Sequence, residues 1–497
     1  MPEHFDVLII GAGISGIGAA YHLQTHCPGK RYAILERRAN LGGTWDLFRY
    51  PGVRSDSDMY TLGYGFRPWT GGKAIADGAS ILDYLRDTAR ENGIDKHIRY
   101  GCGVEAARWC SETARWTLSV RNMNESESGS DPEPGPEAEP ELREISCSFL
   151  VVCAGYYNYE RGHTPTFPDA ERFAGPIVHP QHWPPDLDYA GRRVVVIGSG
   201  ATAVTLLPAL AESAAHVTML QRSPSYVLAT PAEDPVMRWL GERLPPLRAY
   251  QLTRAKNIAL SQAIYWFCRA APKRARKLLL DQARARLGEG YDVETHFNPD
   301  YEPWDQRLCL APGGDLFEVI KSGRASVVTD HIERFTETGL TLRSGATLDA
   351  DIIVTATGLE LRFLGGITLE VDGVPVALNE TLAYRGLMCS GVPNMALCIG
   401  YTNASWTLKV DLSCEYICRL LNYMDEQGFA YCAPKHDEAK VGEAPLLDFD
   451  AGYVRRSAHL FPRQGTEAPW HVYQNYVRDR LTMRRVSIAD PALRFVR

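Results

Sequence analysis

Phe5-Asp6-Val7-Leu8-Ile9-Ile10-Gly11-Ala12-Gly13-Ile14-Ser15-Gly16 begins four residues into the chain, and its reading decides the fold class. Phe5 to Ile10 have the composition of a buried strand, G-x-G-x-x-G follows at once, and Ile17 to Gln24 continue as a helix. In such a unit Gly11 permits the tight turn and Gly13 lets the backbone approach a pyrophosphate. Gly16 lets the helix pack closely on the strand, so that the helix N-terminus around Ser15 faces the anion. A second strand, Arg31 to Leu35, ends at Glu36, 20 residues past Gly16. An acid there binds ribose hydroxyls and repels a 2′-phosphate. The first pocket therefore suits FAD or NAD.

The same grammar recurs near the middle of the chain. Arg193 to Ile197 form an apolar strand, followed by Gly198-Ser199-Gly200-Ala201-Thr202-Ala203, with alanine as the third small residue. The next strand, His216 to Leu220, runs into Gln221-Arg222-Ser223 rather than an acid. Arg222 stands 19 residues past Ala203, where a guanidinium can pair with a 2′-phosphate and select NADPH. Two pockets of opposite ribose chemistry imply electron transfer from NADPH to FAD. The fold class is α/β, with two Rossmann-like domains.

The bulk properties agree. A chain of 497 residues, 45% hydrophobic and 23% charged with 43 glycines, suits a multidomain α/β protein. A net charge of -7 gives no case for a nucleic-acid partner. The 12 cysteines form neither C-x-x-C nor a cluster with histidine, so reduced thiols, no metal site and a cytoplasmic location are expected. The apolar run at Val7 ends too soon for a signal peptide, and no run reaches the ~18 residues that span a bilayer.

The expected division is an FAD domain over 1–155 and 351–497 and an NADP domain over 156–350. Residues 124–143 hold seven acids and one arginine among Pro, Gly and Ser, and read as a mobile acidic loop. A helical insertion is expected over about 235–290, with Leu260, Ile264 and Phe267 at helical spacing. From Arg254 to Arg286 there are nine basic residues and one acid. That is a solvated basic face or, as an alternative, a weak membrane-surface contact.

Between the two glycine motifs stands Phe173-Ala174-Gly175-Pro176-Ile177-Val178-His179-Pro180-Gln181-His182-Trp183-Pro184, the pattern F-x-G-x-x-x-H-x-x-x-W-P. It closely resembles the fingerprint of Baeyer–Villiger monooxygenases, and the resemblance runs over nearly the whole chain. Gly42-Gly43-Thr44-Trp45-Asp46-Leu47 resembles the family segment lying along the flavin, and Tyr50 to Asp56 continue the match. The resemblance implies FAD contacts from Thr44, Trp45, Asp46, Leu47, Asp56 and Val104, and places Arg54 and Ser55 near NADP. It makes Arg307 the active-site arginine, Asp56 its orienting partner, and His179, with Phe173, Gly175, Trp183 and Pro184, a coupler of the two domains. It also lets the helical insertion help wall the substrate cavity. Cys153-Ala154-Gly155 and Ala356-Thr357-Gly358 look like paired crossings between the domains.

The implied activity is conversion of ketones to esters or lactones with O2 through a C4a-peroxyflavin. Two departures stand out. Gln306 replaces a lysine that helps family members hold the 2′-phosphate, and Gly400 to Trp406 lack the Gly-Pro loop of many ketone-oxidising relatives. This version resembles the ethionamide-activating branch, whose members also oxidise thioamide sulfur. The alternatives are a monooxygenase acting mainly on sulfur or nitrogen and a non-enzymatic NADPH/FAD sensor. A flavin disulfide reductase needs a cysteine pair near the flavin, and Gly42 to Arg99 contain none. Substrate size and oligomeric state are not encoded in any pattern here.

Overall fold

The structure is a computed structural model that describes residues 2–123, 142–436, 442–447 and 452–497. Most of the expected acidic loop, 124–141, lies outside the described residues. Its last two positions, Leu142 and Arg143, instead begin the strand Leu142–Val152.

Glu3–Ile10 is an interior strand of a nine-stranded sheet. It pairs in parallel with Tyr32–Leu35 on one side and Leu142–Val152 on the other. Its inward residues Val7, Leu8 and Ile9 are almost wholly buried because helices or strands cover both faces. The antiparallel ribbon Cys102–Cys110 and Arg115–Asn122 extends the sheet, and Met395–Leu397 adds to it from the far end of the chain. Helix Ile14–His26 packs against helix Trp406–Gln427, so the first and last parts of the sequence close one core.

The second sheet has five parallel strands in the order Ala325–Thr329, His216–Gln221, Arg193–Ile197, Ile352–Thr355, Ile177–Val178. Strand Ile352–Thr355 therefore belongs to this sheet, which corrects the expected domain boundary at 351. The chain returns to the first unit only after Gly358, through Leu359–Leu361. That strand pairs with Tyr157–Gly162 as a two-stranded link beside the outgoing crossing.

The expected insertion is three helices, Pro235–Gly241, Pro246–Ala270 and Pro272–Leu287, each with proline in its first turn where no amide hydrogen is needed. Arg254 fixes it to the first unit, donating to the carbonyls of Tyr60, Thr61 and Gly63. No residue from 235 to 290 lines the main cavity, so the expectation that this segment walls it is corrected. Leu260 is 52% exposed and Phe267 also faces out, because Ala249, Tyr250, Thr253 and Asn257 occupy the packed face. Among the described residues no helix is long and apolar enough to cross a membrane. All twelve cysteines are free.

Candidate functional site

One cleft of about 1160 Å³ runs between the sheets and is lined by both glycine turns. The turns are built alike. Gly11 has φ +98°, and a Cβ on it would lie 2.7 Å from the Cys153 carbonyl oxygen. Gly198 has φ +139°, and its Cβ would lie 2.3 Å from the Ala356 oxygen. Each first glycine thus abuts the crossing motif that ends a neighbouring strand, and each turn opens at the carboxyl ends of parallel strands where nucleotides bind. The helices that follow, from Ile14 and Ala201, have no side-chain cap, so their first amides face the cleft unspent.

Glu36 is held from both sides. Its Oε2 accepts the Ala12 amide at 2.7 Å and its Oε1 the Arg38 amide at 2.9 Å. Burial pushes its carboxyl up from the ordinary value, against the lowering by those two amides. A carboxylate so fixed at the cleft wall fits a ribose diol, and Gly13, also on the cleft wall, carries no side chain to hold a pyrophosphate off the backbone.

In the same cleft, Arg307 Nε lies 2.9 Å from Asp56 Oδ2. Tyr156, Tyr157 and Tyr453 line the cleft beside them. Burial works against the charge on Arg307, but Asp56 and then the tyrosine hydroxyls outweigh it and hold its pKa above the usual guanidinium value.

Residues 75–238 match a family model described as flavin-binding monooxygenase-like, and residues 9–83 one described as an NAD(P)-binding Rossmann-like domain. The chain is 54% identical to the FAD-containing monooxygenase EthA of Mycolicibacterium smegmatis, an alignment spanning 100% of this chain and 98% of that one. The chain belongs to the FAD-containing monooxygenases.

Other relatives of the monooxygenase are the putative FAD-containing monooxygenase MymA of Mycobacterium tuberculosis, 51% identical over 100% of this chain and 98% of that one, and a probable FAD-binding monooxygenase, AlmA, of Acinetobacter baylyi, 47% identical over 100% and 97%. An oxidised steroid monooxygenase bound to NADP superposes with a TM-score of 0.76, covering 99% of each chain at 23% identity, which shows a shared fold. The expected α/β fold with Rossmann-like nucleotide binding, the expected FAD and the expected monooxygenase family are borne out.

Of the cofactor residues expected from the sequence, Gly11, Gly13, Ser15, Glu36, Thr44, Trp45, Arg54, Ser55, Asp56 and Val104 line the monooxygenase cleft on the first side. Gly198, Ser199, Gly200, Ala201, Thr202, Arg222 and Ser223 line it on the second. Gly16 and Ala203 stand behind the wall, each where a helix meets its strand.

Asp46 and Leu47 do not line the cleft. Asp46 is 0% exposed, with one oxygen on Arg38 and the other on Arg49, so the carboxylate is spent on holding its loop. Arg54 is also committed: its guanidinium pairs with Asp315 of the second unit and donates to the Leu310 carbonyl. It pins the two units together. Ser55 gives its hydroxyl proton to the Ser57 carbonyl.

The fingerprint residues lie outside the cleft. His179 Nδ1 accepts the Gln181 amide, so Nε2 carries the hydrogen that reaches the Gly358 carbonyl at 3.2 Å. Burial lowers the His179 pKa and keeps the ring neutral. Phe173 packs in the small core with Phe335, Trp183 packs against Tyr189, and Pro184 follows it out of the turn.

Sequence reasoning missed Tyr156, Tyr157, Tyr453, Trp406 and Arg343 as cleft residues. Trp406 was visible only as part of a loop, and its indole Nε1 donates to Ser15 Oγ at 2.8 Å. The tyrosines come from two distant stretches, Tyr156-Tyr157 and Tyr453, with no shared pattern.

Proposed function

We propose that this monooxygenase is an NADPH-dependent Baeyer–Villiger enzyme that inserts one oxygen atom of O2 beside the carbonyl of a ketone, giving an ester or lactone. The observation that carries the reading is the Arg307–Asp56 pair set between two dinucleotide turns in one cleft. FAD, reduced by NADPH, supplies the oxygen-transfer chemistry when bound.

The residues do the rest. Arg307 stays charged and offers its N–H groups to the oxyanion formed when the carbonyl carbon becomes tetrahedral; preorganised charge of this kind is a large catalytic term. Asp56 is a positioning residue that fixes the orientation of the guanidinium. Tyr156, Tyr157 and Tyr453 narrow the cleft around the pair and exclude water. His179, neutral and bound to Gly358, couples the link between the units rather than moving a proton. Thr44 and Trp45 bind the FAD side and Arg222 and Ser223 the NADPH side. Twelve free thiols favour a reducing, cytoplasmic compartment.

Soft sulfur is a second substrate class. The segment Gly400 to Trp406 departs from the ketone-oxidising pattern, and Trp406 is tied to Ser15 at the first glycine turn.

The test supplies the purified FAD-loaded protein with NADPH, labelled O2 and a linear ketone, a cyclic ketone or an aryl sulfide. Labelled ester from a ketone supports the reading. Labelled sulfoxide without ester moves it to sulfur, and hydrogen peroxide alone with all three defeats it.

A further inference from the structure

The helical insertion leaves an amphiphilic face uncovered. Of fourteen large apolar side chains exposed among the described residues, eight lie between Val236 and Leu278. On helix Pro246–Ala270 the exposed positions Arg248, Leu252, Ala255, Ala259 and Trp266 recur at spacings of four, three, four and seven, which is one outward stripe. Trp266, 59% exposed, and Leu278, also 59%, lie within about two turns of the corner at Ala271 on their respective helices.

Charge is distributed unevenly over the same segment. Arg254, Lys256, Arg269, Arg276, Lys277, Arg284 and Arg286 are engaged by carboxylates or carbonyls of the protein. Arg248, Lys273 and Arg274 are exposed and make no side-chain hydrogen bond or ion pair among the described residues. The free cations therefore sit with the free aromatic and leucine side chains.

We propose that this face docks on an anionic lipid bilayer. Trp266, Phe267 and Leu278 enter the interfacial layer while Lys273, Arg274 and Arg248 meet lipid phosphates. Charge decides against a second copy of the chain, since a twofold contact through this corner would bring identical free cations together.

The test is co-sedimentation of the FAD-loaded full chain with phosphatidylglycerol-containing or pure phosphatidylcholine vesicles, comparing wild type with the double variants W266S/L278S and K273E/R274E. None of these residues lines the cleft, and flavin absorbance reports folding. Binding is expected only to the anionic vesicles, to weaken with salt, and to fall roughly tenfold in each variant. Equal binding to both vesicles, none to either, or variants that bind like wild type would overturn the proposal. A dimer in sedimentation velocity that W266S/L278S abolishes, without vesicle binding, would give the face to a second copy.

A separate observation deepens the NADPH preference and rests on the proposed function. Arg222 and Arg343 line the same cleft, and neither side chain has a partner among the described residues. Gln221 pairs in register with Thr329, the Asp330 amide donates to the Gln221 carbonyl, and the Arg343 amide donates to the His331 carbonyl. Backbone hydrogen bonds thus tie the segments that carry Arg222 and Arg343 to the adjacent residues Asp330 and His331. The Asp330 carboxylate accepts backbone amides of His331 and Ser344 and neutralises neither arginine. We infer that Arg343 is the second cation on the 2′-phosphate, filling the role that Gln306 does not.

Calorimetry with NADP+ and NAD+ tests this without turnover. Arg343→Ala is expected to lose roughly tenfold or more in NADP+ affinity and nothing for NAD+, with partial rescue in Arg343→Lys. Equal losses for both nucleotides, or none, would reject Arg343. Wild-type protein binding both nucleotides equally would instead reject NADPH selection itself.

Discussion

Arg307 Nε and Asp56 Oδ2 meet at 2.9 Å although they lie in opposite halves of the chain, and their contact holds a cation in the cleft that both glycine turns line. Its loss has a specific signature. Arg307→Ala should keep its flavin colour and still oxidise NADPH, while ester formation falls by roughly 10²–10³. Product analysis beside oxygen uptake decides it, and an unchanged ester yield would remove Arg307 from the chemistry. Asp56→Asn should lower turnover less than Arg307→Ala does, since the guanidinium remains.

Two glycines of the first motif should fail differently. A Cβ on Gly16 would lie 1.9 Å from the Gly11 carbonyl oxygen, a contact with rigid backbone, whereas one on Gly13 comes no closer than 3.6 Å to the protein. Gly16→Ala is expected to misfold or come out colourless. Gly13→Ala should fold, since its methyl makes only ordinary contact with the Gly43 backbone, and bind FAD poorly, because that methyl thickens the turn at the cleft wall. Soluble yield and bound flavin separate the two outcomes.

Arg222 has no protein partner to lose, so its removal should be felt by the nucleotide alone. Arg222→Ala should raise the KM for NADPH roughly 10- to 100-fold and leave that for NADH unchanged. Steady-state NADPH and NADH oxidation measures the ratio.

Asp351 gives a pH signature. Arg193, through its guanidinium and its amide, holds the Asp351 carboxyl down to about 2 from 3.8. With the folded value below the unfolded one, the stabilisation is present above about pH 4 and is lost as pH falls toward 2. The pair is largely exposed, so screening limits it to roughly 1 kcal/mol. Asp351→Asn should be less stable than wild type by about that amount at neutral pH, with the gap closing in acid. Urea denaturation across pH tests it, and a gap that widens in acid would contradict the assignment.

Several residues singled out in the sequence are committed by partners that it does not show. Asp46 sits in a motif that resembles a flavin-contacting segment, yet Arg38 and Arg49 take both its oxygens. Arg54 stands where it could meet NADP, yet Asp315 holds it. The spacing of Leu260, Ile264 and Phe267 correctly implies a helix, but Leu260 and Phe267 face solvent because Tyr250, Thr253 and Asn257 form the packed side. In each case the residue type and its spacing were legible and the long-range partner was not.

By itself the sequence determined the two nucleotide turns and the ribose chemistry expected of each, whereas Arg307 was named only through the family resemblance. Those features are local, since a strand, a glycine forced to positive φ and a helix start are specified within a dozen residues and their chemistry follows from spacing. Only the tertiary structure decided that Ile352–Thr355 completes the second sheet, that Tyr156, Tyr157 and Tyr453 gather around Arg307, and which basic side chains remain unpaired. Pairing and burial depend on segments that meet only after folding, so no short-range pattern carries them.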